Sequence, residues 1–112
     1  MKLRLIVMNG QRIVETEEDD TWKCQEVSKA GKLKPGIYNL YMSQQPDKSK
    51  RYDGIIVHYT DDYIYQKVDE RFICHSRADF GDKLPEIGTK KSIVYDTQGQ
   101  VSVARKFSPG RF

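Results

Sequence analysis

The stretch "GIIVHYTDDYIYQKVDERFICHSRADF", Gly54 to Phe80, decides how the 112-residue chain is read. It holds both histidines, one of the two cysteines and three of the seven tyrosines. Three short runs of β-branched and aromatic residues are separated by the polar clusters Thr60–Asp62 and Asp69-Glu70, the pattern of consecutive antiparallel strands. Side chains alternate between faces along a strand. In GIIVHY, Ile55, Val57 and Tyr59 therefore oppose Ile56 and His58. In DYIYQKV, Tyr63, Tyr65 and Lys67 oppose Ile64, Gln66 and Val68. In RFICHS, Phe72 and Cys74 oppose Ile73 and His75. With Val68 opposite Arg71, Gln66 meets Ile73 and Ile64 meets His75. A turn spanning Thr60 to Asp62 then brings His58, Gln66 and His75 onto one face, interleaved with Ile56, Ile64 and Ile73. That face is either a packed interior or a pocket with two imidazoles and an amide. Both faces are largely apolar, so a barrel encloses one while other segments cover the second, or the second meets a partner.

The same alternation removes the most tempting catalytic pair. Cys74 and His75 are adjacent on a strand and point to opposite sides, whereas a thiol–imidazole dyad needs hydrogen-bond reach. An acid–base pair of His58 and His75, with Arg77 or Lys67 for charge stabilisation, is the enzyme alternative, in the manner of a small nuclease-like hydrolase. No Cys or His spacing of a zinc site and no glycine-rich phosphate loop is present, so no metal or cofactor is expected.

Outward from this stretch the chain continues as short strands and turns. In KLRLIVM-NG-QRIVE, Asn9-Gly10 suits a type I′ hairpin. The acidic run Glu17–Asp20 forms the next loop, and TWKCQEV places Trp22, Cys24 and Glu26 on one face. GIYNLYM is β-prone, and SQQPDKSKR is a polar loop. RADFGDKLPEIG holds one helical turn ended by Gly81 or Pro85. KSIVYDT and QVSVARK make a last hairpin turning near Gly99. The expected fold is a mainly β, single-domain antiparallel barrel of SH3-like type, or a strongly curled sheet, with at most a short helix.

At this length the chain is expected to be one domain with a core of its own. No apolar run approaches the roughly 20 residues of a membrane span. Two cysteines without an export signal point to reduced thiols in a cytoplasm. The net charge of +3 comes from the last twelve residues, which carry Arg105, Lys106 and Arg111 and no acid. Lys48, Lys50 and Arg51 cluster in the polar loop. Cationic loops beside tyrosines are the means by which small β-barrels hold single-stranded nucleic acid, and these six residues are the candidate phosphate contacts.

KPGIYNLY, DKSK, GIIVHYTDDYIYQKV, HSRADF, PEIG and SIVYDTQGQVSV, taken in order over residues 29–104, resemble the KfrB-like domain of conjugative plasmids and related mobile elements. Residues 1–28 are then an N-terminal hairpin extension and 105–112 a basic tail of that single domain. The resemblance implies a cytoplasmic accessory protein of plasmid maintenance or conjugative transfer, and with the residue reading above the expectation is a non-catalytic binding module. Its partner is nucleic acid or a protein of the transfer or partition machinery, with no membrane. A third alternative is a protein-directed regulator that forms a homodimer. The recurrent polar positions carry over to His58, Gln66, His75 and Arg77, with Tyr65 beside them. A glycine is expected after Val68 where Asp69-Glu70 stands, which implies a longer or bulged turn there.

Overall fold

The computed structural model describes residues 2–80, 84–99 and 101–105, the last four of these as backbone only. The chain divides into two compact units, Met1–Ser43 and Gln44–Phe112. Each contains one antiparallel sheet.

In the first unit, β1 (Lys2–Met8), β2 (Gln11–Glu18), β3 (Thr21–Lys29) and β4 (Gly36–Tyr38) assemble in the order β3-β2-β1-β4. Asn9 (φ 51°) and Gly10 (φ 75°) both take positive φ, as a two-residue type I′ turn requires. Asp19 (φ 52°) and Asp20 (φ 63°) repeat the device between β2 and β3. The acidic run thus contributes only its last two residues to the loop, and Glu17 and Glu18 continue β2. One face of this sheet buries Leu5, Val7, Val14 and Tyr38.

Two expectations change here. Val14 pairs with Glu26 but Glu15 pairs with Cys24, so a bulge absorbs Gln25. Trp22 and Cys24 keep a common face, and Glu26 moves to the other. GIYNLYM is a strand only for Gly36–Tyr38. At Asn39 the backbone leaves the extended region (φ −83°, ψ 81°), and Leu40–Met42 form a 3-10 turn that buries Leu40.

The second unit contains β5 (Tyr52–Tyr59), β6 (Tyr63–Val68), β7 (Arg71–Ser76), β8 (Lys90–Tyr95) and β9 (Val101–Arg105), in the order β7-β6-β5-β8-β9. The one helical turn of RADFGDKLPEIG is a 3-10 turn at Arg77–Phe80; Gly81 lies outside the described residues. Gly99 (φ 80°) closes the last hairpin through its amide to Asp96 O at 3.0 Å. Ile56, Ile64, Phe80, Ile93 and Tyr95 form the main core, with Tyr59, Leu84, Ile87 and Val101 packed against it.

The mainly β class is observed, as two antiparallel sheets. Both strand orders are open, and closure into an SH3-like barrel is not among the pairings of the described residues. The β6–β7 register is Val68↔Arg71, Gln66↔Ile73 and Ile64↔His75. The turn after Val68 is neither lengthened nor bulged. Asp69 takes φ 54° while Glu70 does not take positive φ, which avoids the strain that a type I′ turn places on its second residue.

Candidate functional site

The candidate residues converge on β5, β6 and β7, and the polar ones do not form a single group. Gln66 and His75 point into the core, and both are completely buried. The Gln66 amide nitrogen donates to three backbone carbonyls, those of Tyr52 at 3.1 Å, Gly54 at 3.3 Å and Lys91 at 3.1 Å. Its carboxamide oxygen is thereby turned toward His75 Nε2, 2.9 Å away. Because an amide oxygen only accepts, Nε2 carries the proton. His75 Nδ1 then accepts from the Tyr95 hydroxyl at 2.6 Å. The ring is enclosed by Tyr52, Phe80 and Tyr95 at centroid distances of 5.7, 5.8 and 5.9 Å.

Every polar atom of the imidazole is satisfied by a partner that suits the neutral form. Burial drives the His75 pKa down to about 4, against a smaller opposing influence from Asp79. Burial likewise raises the Tyr95 hydroxyl. The result is a rigid neutral network tying β6 and β7 to the backbones of β5 and β8. Such networks fix one packing arrangement when all members are satisfied.

His58 does not belong to this network, which corrects the expected shared face. The β5–β6 pairing runs Tyr59↔Ile64 and His58↔Tyr65 near the turn, but Ile56↔Gln66 and Ile55↔Lys67 further on. Val57 is the extra residue of a β-bulge. A three-residue turn would pair His58 with Ile64 and set it beside His75. The actual turn is tighter, with Thr60 N–H donating to Tyr63 O at 2.8 Å, so only Asp61 and Asp62 lie between the closing residues. That shortening shifts the alternation by one, and the Val57 bulge restores it at Ile56. His58 therefore lies on the opposite face, stacked on Tyr65 at 6.2 Å with 21° between the rings. Both are buried, and burial, followed by the neighbouring Cys74, pushes the Tyr65 hydroxyl up to about 12. The two histidines are on opposite sides of the sheet, so the proposed acid–base pair has no common substrate position. Cys74 and His75 also point apart, as strand alternation requires.

Arg77 is the clamp of the tight turn. Its Nη1 donates to Thr60 O at 2.8 Å and its backbone N–H to Asp62 O at 2.8 Å. With its carbonyl so engaged, Thr60 uses its hydroxyl to accept from the Asp62 and Tyr63 amides. The guanidinium lies 5.7 Å from the Tyr59 ring centroid. A shallow cleft of about 450 Å³ beside it is lined by Asp61, Asp62, Tyr63, Ser76, Arg77 and Ala78.

The cations of the polar loop are matched by acids. Lys48 reaches Asp79 at 3.2 Å, Lys50 reaches Asp47 at 4.0 Å and Arg51 reaches Asp53 at 3.0 Å. Two serine contacts from Ser49 hold the Asp47 carboxyl below its ordinary pKa. Lys106 and Arg111 lie outside the described residues, as does the side chain of Arg105. Among the described residues no three His, Cys, Asp or Glu side chains gather as metal ligands, and no helix is long and apolar enough to cross a membrane.

The surface feature that strand-by-strand reasoning missed is in the first unit. Met8, Val27 and Ile37 are exposed on one face of the four-stranded sheet. Ile6 and Ile13 lie on the same face, opposite one another in the β1–β2 pairing.

Fold and site together define a small two-sheet β module in which the buried Gln66 and His75 link neighbouring strands. The chain belongs to the KfrB domain family, whose model matches residues 51–105, from the start of β5 to the end of β9. It is also similar to a protein named TraB of Escherichia coli. The two are 30% identical over 105 residues, which span 88% of this chain and 70% of that protein.

Proposed function

We propose that the chain is a non-catalytic binding module of plasmid maintenance or conjugative transfer, acting in the cytoplasm by contact with protein. Membership of the KfrB family and the likeness to TraB support the plasmid setting. One observation carries the non-catalytic part. His75 is sealed in a neutral, fully bonded network, and the Val57 bulge puts His58 on the other side of the sheet. Protein is favoured over nucleic acid because Lys48, Lys50 and Arg51 stand beside three carboxylates, leaving the loop little net charge for phosphate. Meanwhile Met8, Val27 and Ile37 offer apolar surface on a single face.

The test has two arms. Anisotropy titrations with single- and double-stranded oligonucleotides at low salt should show no binding that depends on the loop. Pairwise titrations against purified transfer and partition proteins of the same mobile element should give saturable binding to at least one. Nucleic-acid affinity that falls steeply with salt, and vanishes when Lys48, Lys50 and Arg51 are changed to Gln, would overturn the preference for protein.

A further inference from the structure

The cross-strand register of the first sheet aligns its exposed face into rows. Ile37 pairs with Ile6, Ile6 with Ile13, and Ile13 with Val27. One unbroken apolar row thus crosses all four strands. Its outer members are 63% exposed at Ile37 and 53% at Val27. On one side of the row lie Lys29, Gln11 and Met8, the last 48% exposed. On the other side lie Cys24, Glu15 and Arg4, followed by Trp22, Glu17 and Lys2. Arg4 pairs with Glu15 at 2.7 Å and Lys2 with Glu17 at 3.9 Å. The Arg4 guanidinium also lies 4.0 Å from the Trp22 ring centroid.

We infer that this face is a self-association surface, occupied by a second copy of the chain packed sheet on sheet. The inference rests on the protein-binding reading above and names the partner at one surface. Three features select a second copy. Arg4 with Glu15 and Lys2 with Glu17 neutralise one another within the face and leave only the single charge of Lys29, so the face attracts neither a strongly basic nor a strongly acidic partner and repels itself little. A two-fold axis running along the apolar row superposes the row on its symmetry mate. The same axis sets the Lys29–Gln11–Met8 row over the Cys24–Glu15–Arg4 row, bringing Lys29 toward Glu15 of the other copy. Such isologous contacts are the commonest in homo-oligomers.

The third feature is size. With strands ~4.8 Å apart and a rise of ~3.4 Å per residue, β1, β2 and β3 with the three residues of β4 cover at most roughly 450 Å² per copy, and Tyr41 rests against the Trp22 and Lys2 end of that area. The footprint of the pair, about 900 Å² at most, falls below the ~1,200 Å² of stable specific interfaces and in the range of weak, transient contacts. The dimer is therefore expected to be weak and to dissociate on dilution. The free edge of β3 is not an equivalent route. Its bulge at Gln25 and its Lys23, Glu26 and Lys29 side chains are the devices that block edge-to-edge pairing.

Sedimentation equilibrium from about 10 μM to about 1 mM should show a monomer–dimer equilibrium that salt weakens only slightly. Ile37→Lys and Val27→Lys, both at exposed sites, should weaken it by about tenfold or more. Val94→Lys, exposed on the other sheet, should leave it unchanged. A parallel dilution series of amide NMR spectra on the unaltered chain should move resonances of Met8, Ile13, Val27 and Ile37, and it decides the matter if either lysine variant loses its fold. A monomer throughout, a dimer that survives both lysine variants, one that Val94→Lys abolishes, or dilution shifts centred elsewhere would each overturn the inference. A chain that stays monomeric yet binds a transfer or partition protein overturns the dimer and leaves the proposed function standing. Loop-dependent nucleic-acid binding would overturn the proposed function instead.

Discussion

Lowering the pH from 7 toward 4 should destabilise the five-stranded sheet through His75. In the folded chain this imidazole is neutral, with its pKa held down to about 4 by burial, against 6.5 for an ordinary histidine. Between these values the unfolded chain takes up a proton that the folded chain refuses. Stability is therefore fully present above about 6.5 and falls as the pH drops through this window. At roughly 1.4 kcal/mol for each pH unit, the window converts to about 3 kcal/mol, a large share of the stability of a domain this size. The assay is urea unfolding followed by circular dichroism at several pH values, for the native chain and for His75→Gln. Carboxylates add their own slope at low pH, so the quantity to read is the difference between the two curves. The His75 ring resonance supplies a direct second measure. A His75 that titrates near 6.5 in the folded chain, or a difference between the curves under about 1 kcal/mol, would refute the picture of a sealed neutral ring.

Other perturbations probe the remaining parts of the same unit. Gln66→Leu keeps the volume but leaves the His75 Nε2 proton and the carbonyls of Tyr52, Gly54 and Lys91 without their amide partner, and should cost about 3 kcal/mol or more in urea unfolding. Gly54→Ala would drive a Cβ into the backbone carbonyl of Lys67, so a loss of about 3 kcal/mol or failure to fold is expected; near-native stability would show that β5 and β6 can separate cheaply. Arg77→Ala removes the partner of Thr60 O and should lower stability by about 1–2 kcal/mol. Its signature is faster hydrogen exchange at the Asp62 and Tyr63 amides, while exchange in the Asn9-Gly10 hairpin stays unchanged.

Local chemistry made some of the structure readable. Asn9-Gly10 announces its turn because few residue pairs tolerate two positive φ values. Two residues between Val68 and Arg71 leave little freedom, so Gln66, Ile73, Ile64 and His75 were placed on their true face. The position of His58 was not readable, because its parity depends on whether two or three residues form the preceding turn. That choice is made by the Thr60 hydroxyl together with Arg77, 17 residues further along the chain. Lys48 was likewise visible as a cation, but its partner Asp79 arrives from the distant 3-10 turn. The apolar row of the first sheet required knowing that β4 joins β1 rather than β3, which is a matter of topology and not of pattern.

The tight turn at Thr60 and the bulge at Val57 behave like a pair of compensating frameshifts, one residue lost and one regained three positions apart. Between them the strand is out of phase with the rest of the sheet, and His58 and Tyr59 are the residues caught in that interval. A family member with one more residue in the turn and no bulge would keep the interval in phase. Its histidine, aligned letter for letter with His58, would then face the glutamine–histidine network and not Tyr65. Among relatives, the length of this turn determines what an aligned histidine means, and identity at the position does not.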